Sequence, residues 1–318
     1  MSVCQIEKDR VDFLLDLISS FEPSAEDSPS ERARAQRQVA ALKRELARAQ
    51  TALADCLKRH TSYEVRLRVV RMANTDGSNQ TAVTAANVEN EWVRVANLVF
   101  TPGRLRFLFD PTTDFETRNN TRLNQLVEGT GLQDDIDAIT DANGIADLFP
   151  NQIVVICRTG RTILKPPDGG CGSGCGFSGY PGKYVMMPAF DPSLVPLFAH
   201  ELGHYFGLPH TFRYVIDTTP DARIVFDLLG QDLSKLEGDV SVVSDTPPEM
   251  IIRDQDPGAN TSIVFGGKTI NFLRDNIMSY YRPLTPNGKT ITQGQVGRVQ
   301  TVLQERRQLG LQVTEVIS

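Results

Sequence analysis

The chain is 318 residues long, 40% hydrophobic and 23% charged, with a net charge of −6 and a pI near 5.4. Such a composition suits a globular protein with ample apolar material for a core, and its acidic balance argues against a nucleic-acid partner, since no broad basic excess can meet phosphates. No apolar run is long enough for a membrane span.

The N-terminus does not have the form of a secretory signal, because Glu7, Asp9, Asp12 and Asp16 interrupt its apolar positions. Val11, Leu14, Ile18 and Phe21 recur at steps of three and four, which predicts an amphipathic helix. A polar loop from Glu22 to Ser30 follows, and Ser28, Pro29 and Glu31 have the pattern of a helix start with a capping box. Next, Ala35, Val39, Leu42, Leu46, Ala49, Leu53 and Cys56 alternate steps of four and three, a heptad seam. Residues 1–60 therefore read as an N-terminal helical hairpin. It either packs on itself or the main domain, or serves self-association or partner binding, or acts as a prosegment.

After His60 the pattern changes, and 61–318 reads as one domain. Strands are predicted at Thr61–Met72, Arg104–Asp110, Gln152–Arg158 and Lys183–Pro188, and a helix from about Thr81 to Phe100. Together they define an α/β (α+β) layer, a mixed twisted sheet with backing helices. Of the five cysteines, Cys171 and Cys175 are close enough in sequence either to bridge or to stay free, and Cys4, Cys56 and Cys157 have no obvious partner.

The chemistry is concentrated in FAHELGHYFGLPHTF, residues 198–212, whose skeleton is His200-Glu201-x-x-His204-x-x-Gly207-x-x-His210. On a helix, His200 and His204 lie on one face, one turn apart, so both imidazoles can reach one ion. Gly207 permits the left-handed turn that ends the helix, Pro209 prevents its continuation, and His210 returns as a third ligand. Three protein ligands with a fourth position open describe a catalytic zinc site, with Glu201 beside the open position as general base. Five fixed positions should arise by chance on the order of once in ten thousand chains of this length. Three of the chain's four histidines are in the motif.

This segment resembles the extended zinc signature of the metzincin metallopeptidases. DNIMSYY (275–281) resembles their methionine turn, which makes Met278 the residue beneath the metal and Tyr280 the one beside the reacting carbonyl. Within the clan the likeness is to pappalysin-type peptidases. It is carried also by Thr211, by VVSDTPPE (242–249), and by the Gln295-x-x-Arg298 pattern entering a closing helix. Tyr205 stands where that family commonly has tryptophan, and Ser279 where it often has aspartate.

The resemblance implies a metzincin-like zincin domain, one catalytic Zn2+, and a protein or peptide substrate lying along an edge strand, for which Lys183–Pro188 is the candidate. It further implies an irregular lower part after Gly207 that ends in a helix, and a specificity pocket walled by Tyr281, Arg282 and Pro283. Calcium bound near Asp239 and Asp245 is a further implication, against which stands the reading of two solvated surface acids. Cys4 or Cys56 would be the latency cysteine if there is one. The likeness implies secretion, although no signal peptide is present. The expected activity is that of a zinc-dependent endopeptidase. The alternative is a catalytically weak zinc-binding scaffold acting through residues 1–60.

Overall fold

In the computed structural model, residues 4–20, 29–125, 132–159, 177–178, 183–187, 195–238, 242–255, 260–281 and 288–317 are described. The chain divides into two units, Met1–Tyr63 with Thr314–Ser318, and Glu64–Val313.

In the first unit, α1 (Gln5–Ser20) and α2 (Pro29–His60) meet through a small core. Val11 and Leu14 pack against Ala49, flanked by Leu42, Leu46 and Leu53. A disulfide joins Cys4 to Cys56, and Arg10 pairs with Glu45 at 2.8 Å. As partners on α1 advance, those on α2 recede, so the helices run antiparallel. The bridge corrects the expectation that Cys4 and Cys56 lack partners. It also takes both sulfurs out of consideration for latency, because a thiolate is the metal ligand. The bonded pair is 52 residues apart in sequence. Cys157 is free and buried, and burial pushes its thiol pKa up. Cys171, Cys175 and the helix start at Ser28 lie outside the described residues. In the same unit the Ser62 hydroxyl donates to the Val316 carbonyl of β11 (Val313–Ile317).

The second unit is a mixed α/β structure. Its first sheet is centred on β1 (Thr61–Ala73), which pairs in parallel with β3 (Phe115–Asn119) and β4 (Ile153–Cys157) and also pairs with β2 (Leu105–Leu108). β4 pairs in parallel with β6 (Val185–Met187), and β6 in turn pairs antiparallel with β5 (Phe177–Ser178). Both faces are covered, and β1 and β4 read accordingly as near-continuous apolar runs. On one face Val70, Met72, Val154 and Ile156 pack with residues of α5 (Thr121–Gln125) and α6 (Leu132–Asp147), notably Leu123, Ala142 and Ile145. α7 (Val195–Tyr205) packs on β5 and β6, and also on a helical run formed by α3 (Ala85–Asn87), a π-helical stretch Val88–Val93 and α4 (Arg94–Phe100). Trp92 stacks on Phe198, with ring centroids 5.3 Å apart, and Phe206 meets Phe100 and Phe107. β6 has a partner on each side, so the Lys183–Pro188 segment is not the edge strand expected of it. β5 ends the order among the described residues.

The part after Gly207 is not irregular. β7 (Phe212–Ile216), β8 (Glu249–Ile252), β10 (Lys268–Asn271) and β9 (Ser262–Phe265) form a second sheet in that order, packed with α8 (Thr219–Leu228). Its strands are four or five residues long, too short for alternation to declare them. Gly266 and Gly267, with φ of +57° and +77°, turn the β9–β10 hairpin. Tyr281 belongs to this core rather than to a pocket wall. It is 1% exposed, and its hydroxyl accepts from Ile252 N and donates to Met250 O. Arg282 and Pro283 lie outside the described residues. A closing helix, α9 (Gln293–Gln308), follows as expected, and β11 comes after it.

Candidate metal centre

α7 ends in a Schellman motif. Gly207, at φ +74°, takes the left-handed position, its N–H bonds His204 O at 2.8 Å, and Leu208 N–H bonds Gly203 O at 2.9 Å. This reversal carries Leu208 back over the helix end, so that its carbonyl lies 2.8 Å from His204 Nδ1. Two residues later His210 enters the same space. Its Nε2 is 3.2 Å from His200 Nε2 and 3.0 Å from His204 Nε2. Two nitrogens bound at 2.0–2.1 Å to one tetrahedral ion are roughly 3.3 Å apart, so the observed separations fit a shared cation. Among the described residues these three are the only group of His, Cys, Asp or Glu side chains so gathered, with ligand atoms within 4.8 Å of one another.

The other ring nitrogens fix the tautomer. His200 Nδ1 is 2.7 Å from Ile277 O, and a carbonyl only accepts, so Nδ1 carries the proton in both His200 and His204. Their Nε2 lone pairs are left to face inward. His210 is held by stacking on Phe212, centroids 4.8 Å apart and planes at 11°. Burial depresses all three imidazole pKa values. His204 falls to about 4, and His200 and His210 fall well below their usual 6.5, with neighbouring imidazoles adding to the effect. Neutral imidazole is the metal-binding form. Glu201, buried on α7, is pushed up to about 8 by desolvation alone. A dication nearby would favour its ionised form.

Met278 lies directly under α7. A Cβ placed on Gly203 would meet Met278 Sδ at 2.4 Å, so the turn can dock only because residue 203 is glycine. Tyr280 places its ring 4.9 Å from that of His210 and 5.6 Å from that of His200. The Asn276 side chain accepts from Met278 N, and exchanges amide hydrogen bonds with Gln295, itself part of the capping box that starts α9. One turn further on, Arg298 donates to Gly207 O at 3.4 Å and its guanidinium covers that glycine. The Gln295-x-x-Arg298 pattern thus braces the methionine turn and the end of α7 at once.

Asp245 accepts from the Thr292 hydroxyl and from Gly294 N–H, an anion at the N-terminus of α9. That is the role its contacts support. Asp239 lies outside the described residues.

Sequence reasoning missed Gly203, Gly238, Glu249 and Lys289. A Cβ on Gly238 would fall 2.0 Å from His210 O, so glycine is required where the 236–238 segment runs against His210. Buried Lys289 donates to the carbonyls of Asn276, Ser279 and Tyr281, closing the methionine turn from beneath. Nothing local in the sequence marks any of these, since each acts across the fold. Compared with known proteins, the chain matches no protein-family model, and a search of curated proteins gives no match.

Proposed function

We propose that the protein is a zinc-dependent endopeptidase of metzincin type. The observation that carries the reading is the convergence of the His200, His204 and His210 Nε2 atoms, each ring neutral, with two fixed by carbonyls behind them. Three imidazoles, with no fourth ligand among the described residues, suit zinc in a hydrolytic role. A zinc ion held there supplies a water of pKa near 7 and polarises the substrate carbonyl. The chain's own residues do the rest. Glu201 takes the proton from the attacking water and passes it to the departing amine nitrogen. Tyr280, whose ring lies beside those of His200 and His210, would donate to the oxygen on which charge develops. An extended substrate would add alongside β5, the strand at the end of the sheet order, by main-chain pairing.

The test is cleavage of a broad peptide library by the full chain, read by mass spectrometry. Chelation should abolish cleavage and zinc should restore it. Glu201→Ala should keep one zinc per chain by elemental analysis while losing turnover by at least about 100-fold. Metal-loaded wild type that cleaves nothing in the library would overturn the reading.

A further inference from the structure

Glu249 has no part in the chemistry just described, yet it is fully buried, at 0% exposure. It opens β8, where its backbone pairs with Phe212 on one side and Asn271 on the other. Its carboxylate collects three donors from three segments. The Thr211 hydroxyl reaches Oε2, while the Ser279 hydroxyl and Leu273 N–H reach Oε1, each at 2.7 Å. Thr211 follows the third histidine directly, and Ser279 follows Met278. Thr211 N–H also donates to Met278 O. The methionine turn therefore sits between a buried anion and a buried cation. Glu249 grips the Ser279 side chain, and Lys289 grips the turn's carbonyls.

We infer that Glu249 is a positioning residue for the metal centre, setting the His210 segment and the methionine turn in mutual register. The inference rests on the three histidines being metal ligands. Burying a carboxylate is costly, and an apolar residue of similar size often serves stability equally well. What an apolar residue cannot do is fix the Thr211 and Ser279 hydroxyls at once. The same requirement explains Ser279 itself, whose hydroxyl donates to this acid.

The experiment measures zinc affinity of the full chain by competition with a chromophoric chelator, alongside urea unfolding of the zinc-free protein. Glu249→Gln is the mildest variant. Its amide oxygen can keep Ser279 and Leu273, its NH2 faces Thr211, and the Thr211 hydroxyl can turn to Met278 O, already 3.4 Å away. Thr211→Val removes one arm of the bracket and keeps the strand's β-branched shape, so the set stays informative if Glu249→Gln folds poorly. Thr211→Val should weaken zinc affinity by about tenfold, Glu249→Gln by a smaller factor, and the double variant by less than the product of the two. Ile156→Val, in the core of the first sheet, is the control for a general loss of stability and should leave zinc affinity unchanged.

Wild-type affinity in both Glu249→Gln and Thr211→Val would overturn this inference alone, and so would an equal loss in Ile156→Val. A wild-type chain that binds no zinc would overturn both this inference and the proposed function. Tight zinc binding with the expected variant pattern, but no peptide cleavage, would remove only the endopeptidase reading.

Discussion

Replacing Gly203 with alanine sets helix propensity against packing. Inside a helix, alanine is better than glycine by about 0.8–1.0 kcal/mol. Gly297 of α9 should show that gain in full, because a Cβ there meets nothing within 4 Å. At Gly203 the new Cβ would lie 2.4 Å from Met278 Sδ and 3.4 Å from its Cε. Met278 is 0% exposed, and its backbone is pinned by Asn276 Oδ1 and by Thr211 N–H, so the sulfur can retreat only by displacing core neighbours. Overpacking of this kind costs about 1–3 kcal/mol. After the propensity gain is subtracted, Gly203→Ala should destabilise by about 1 kcal/mol while Gly297→Ala stabilises by about as much, a contrast of about 2 kcal/mol. Urea midpoints of the zinc-free variants at unchanged m-value read it directly. Adding Gly203→Ala to Met278→Ala should be harmless or stabilising, because the clash is gone, which makes the pair strongly non-additive. If Gly203→Ala is as stabilising as Gly297→Ala in the wild-type background, Met278 does not press on α7 and the account of the turn fails.

The zinc-free protein should be most stable near pH 6.5, because below it three depressed imidazoles outweigh the one raised carboxyl and above it only the carboxyl's loss remains. His204, depressed from 6.5 to about 4, binds its proton more readily unfolded than folded, so its contribution is intact above 6.5 and lost as pH falls toward 4. Glu201, raised from 4.5 to about 8, binds its proton more readily folded, so its contribution is intact below 4.5 and lost as pH rises through 8. Zinc should flatten the alkaline limb by favouring the Glu201 carboxylate, and steepen the acid limb because protons compete for the imidazoles. Urea midpoints across this range check it, and a zinc-free midpoint that does not fall between pH 6.5 and 8 would count against the burial of Glu201. In the first unit, a disulfide closing a 52-residue separation is worth about 4 kcal/mol in chain entropy. Reduction, or Cys4→Ser with Cys56→Ser, should therefore expose α1 and α2 to limited proteolysis under conditions where Glu64–Val313 resists. Equal resistance with and without the bridge would show that the Val11–Leu14–Ala49 core suffices.

What the sequence disclosed about the site is what lies within one helix and its exit. His200 and His204 share a face, Gly207 can adopt a positive φ, and His210 is three residues beyond. All of this is local geometry, and the Schellman turn follows from it. What it did not disclose is carried by contacts across long separations. Ile277 O meets His200 from 77 residues away, and Arg298 reaches Gly207 from 91. The same limit explains the mistaken edge strand. Val185–Met187 reads as any short apolar strand, and its second neighbour, β5, has only two residues in the ladder. Its position just after the methionine turn predicts a pocket wall for Tyr281. Its phenol instead completes the β8 hydrogen bonding, a preference that only the register of β8 could reveal.

These long contacts bear on why a glycine-ended helix can hold a metal at all. Two neutral imidazoles within 3.2 Å of a third gain nothing from one another, and their polar faces are a cost until an ion arrives. The cluster persists because other groups fix it. Ile277 and Leu208 carbonyls hold two rings, and Phe212 stacks the third. Asn276–Gln295 and Lys289 hold the turn that carries Ile277, while Arg298 holds the turn that carries Leu208. Of these braces, Gln295 and Arg298 come from the first two turns of α9. A perturbation there, such as loss of the Thr292 cap or of Asp245 beside it, would thus reach His200 and His204 through two independent routes. Metal affinity should accordingly respond to the start of α9 more than to its exposed C-terminal turn.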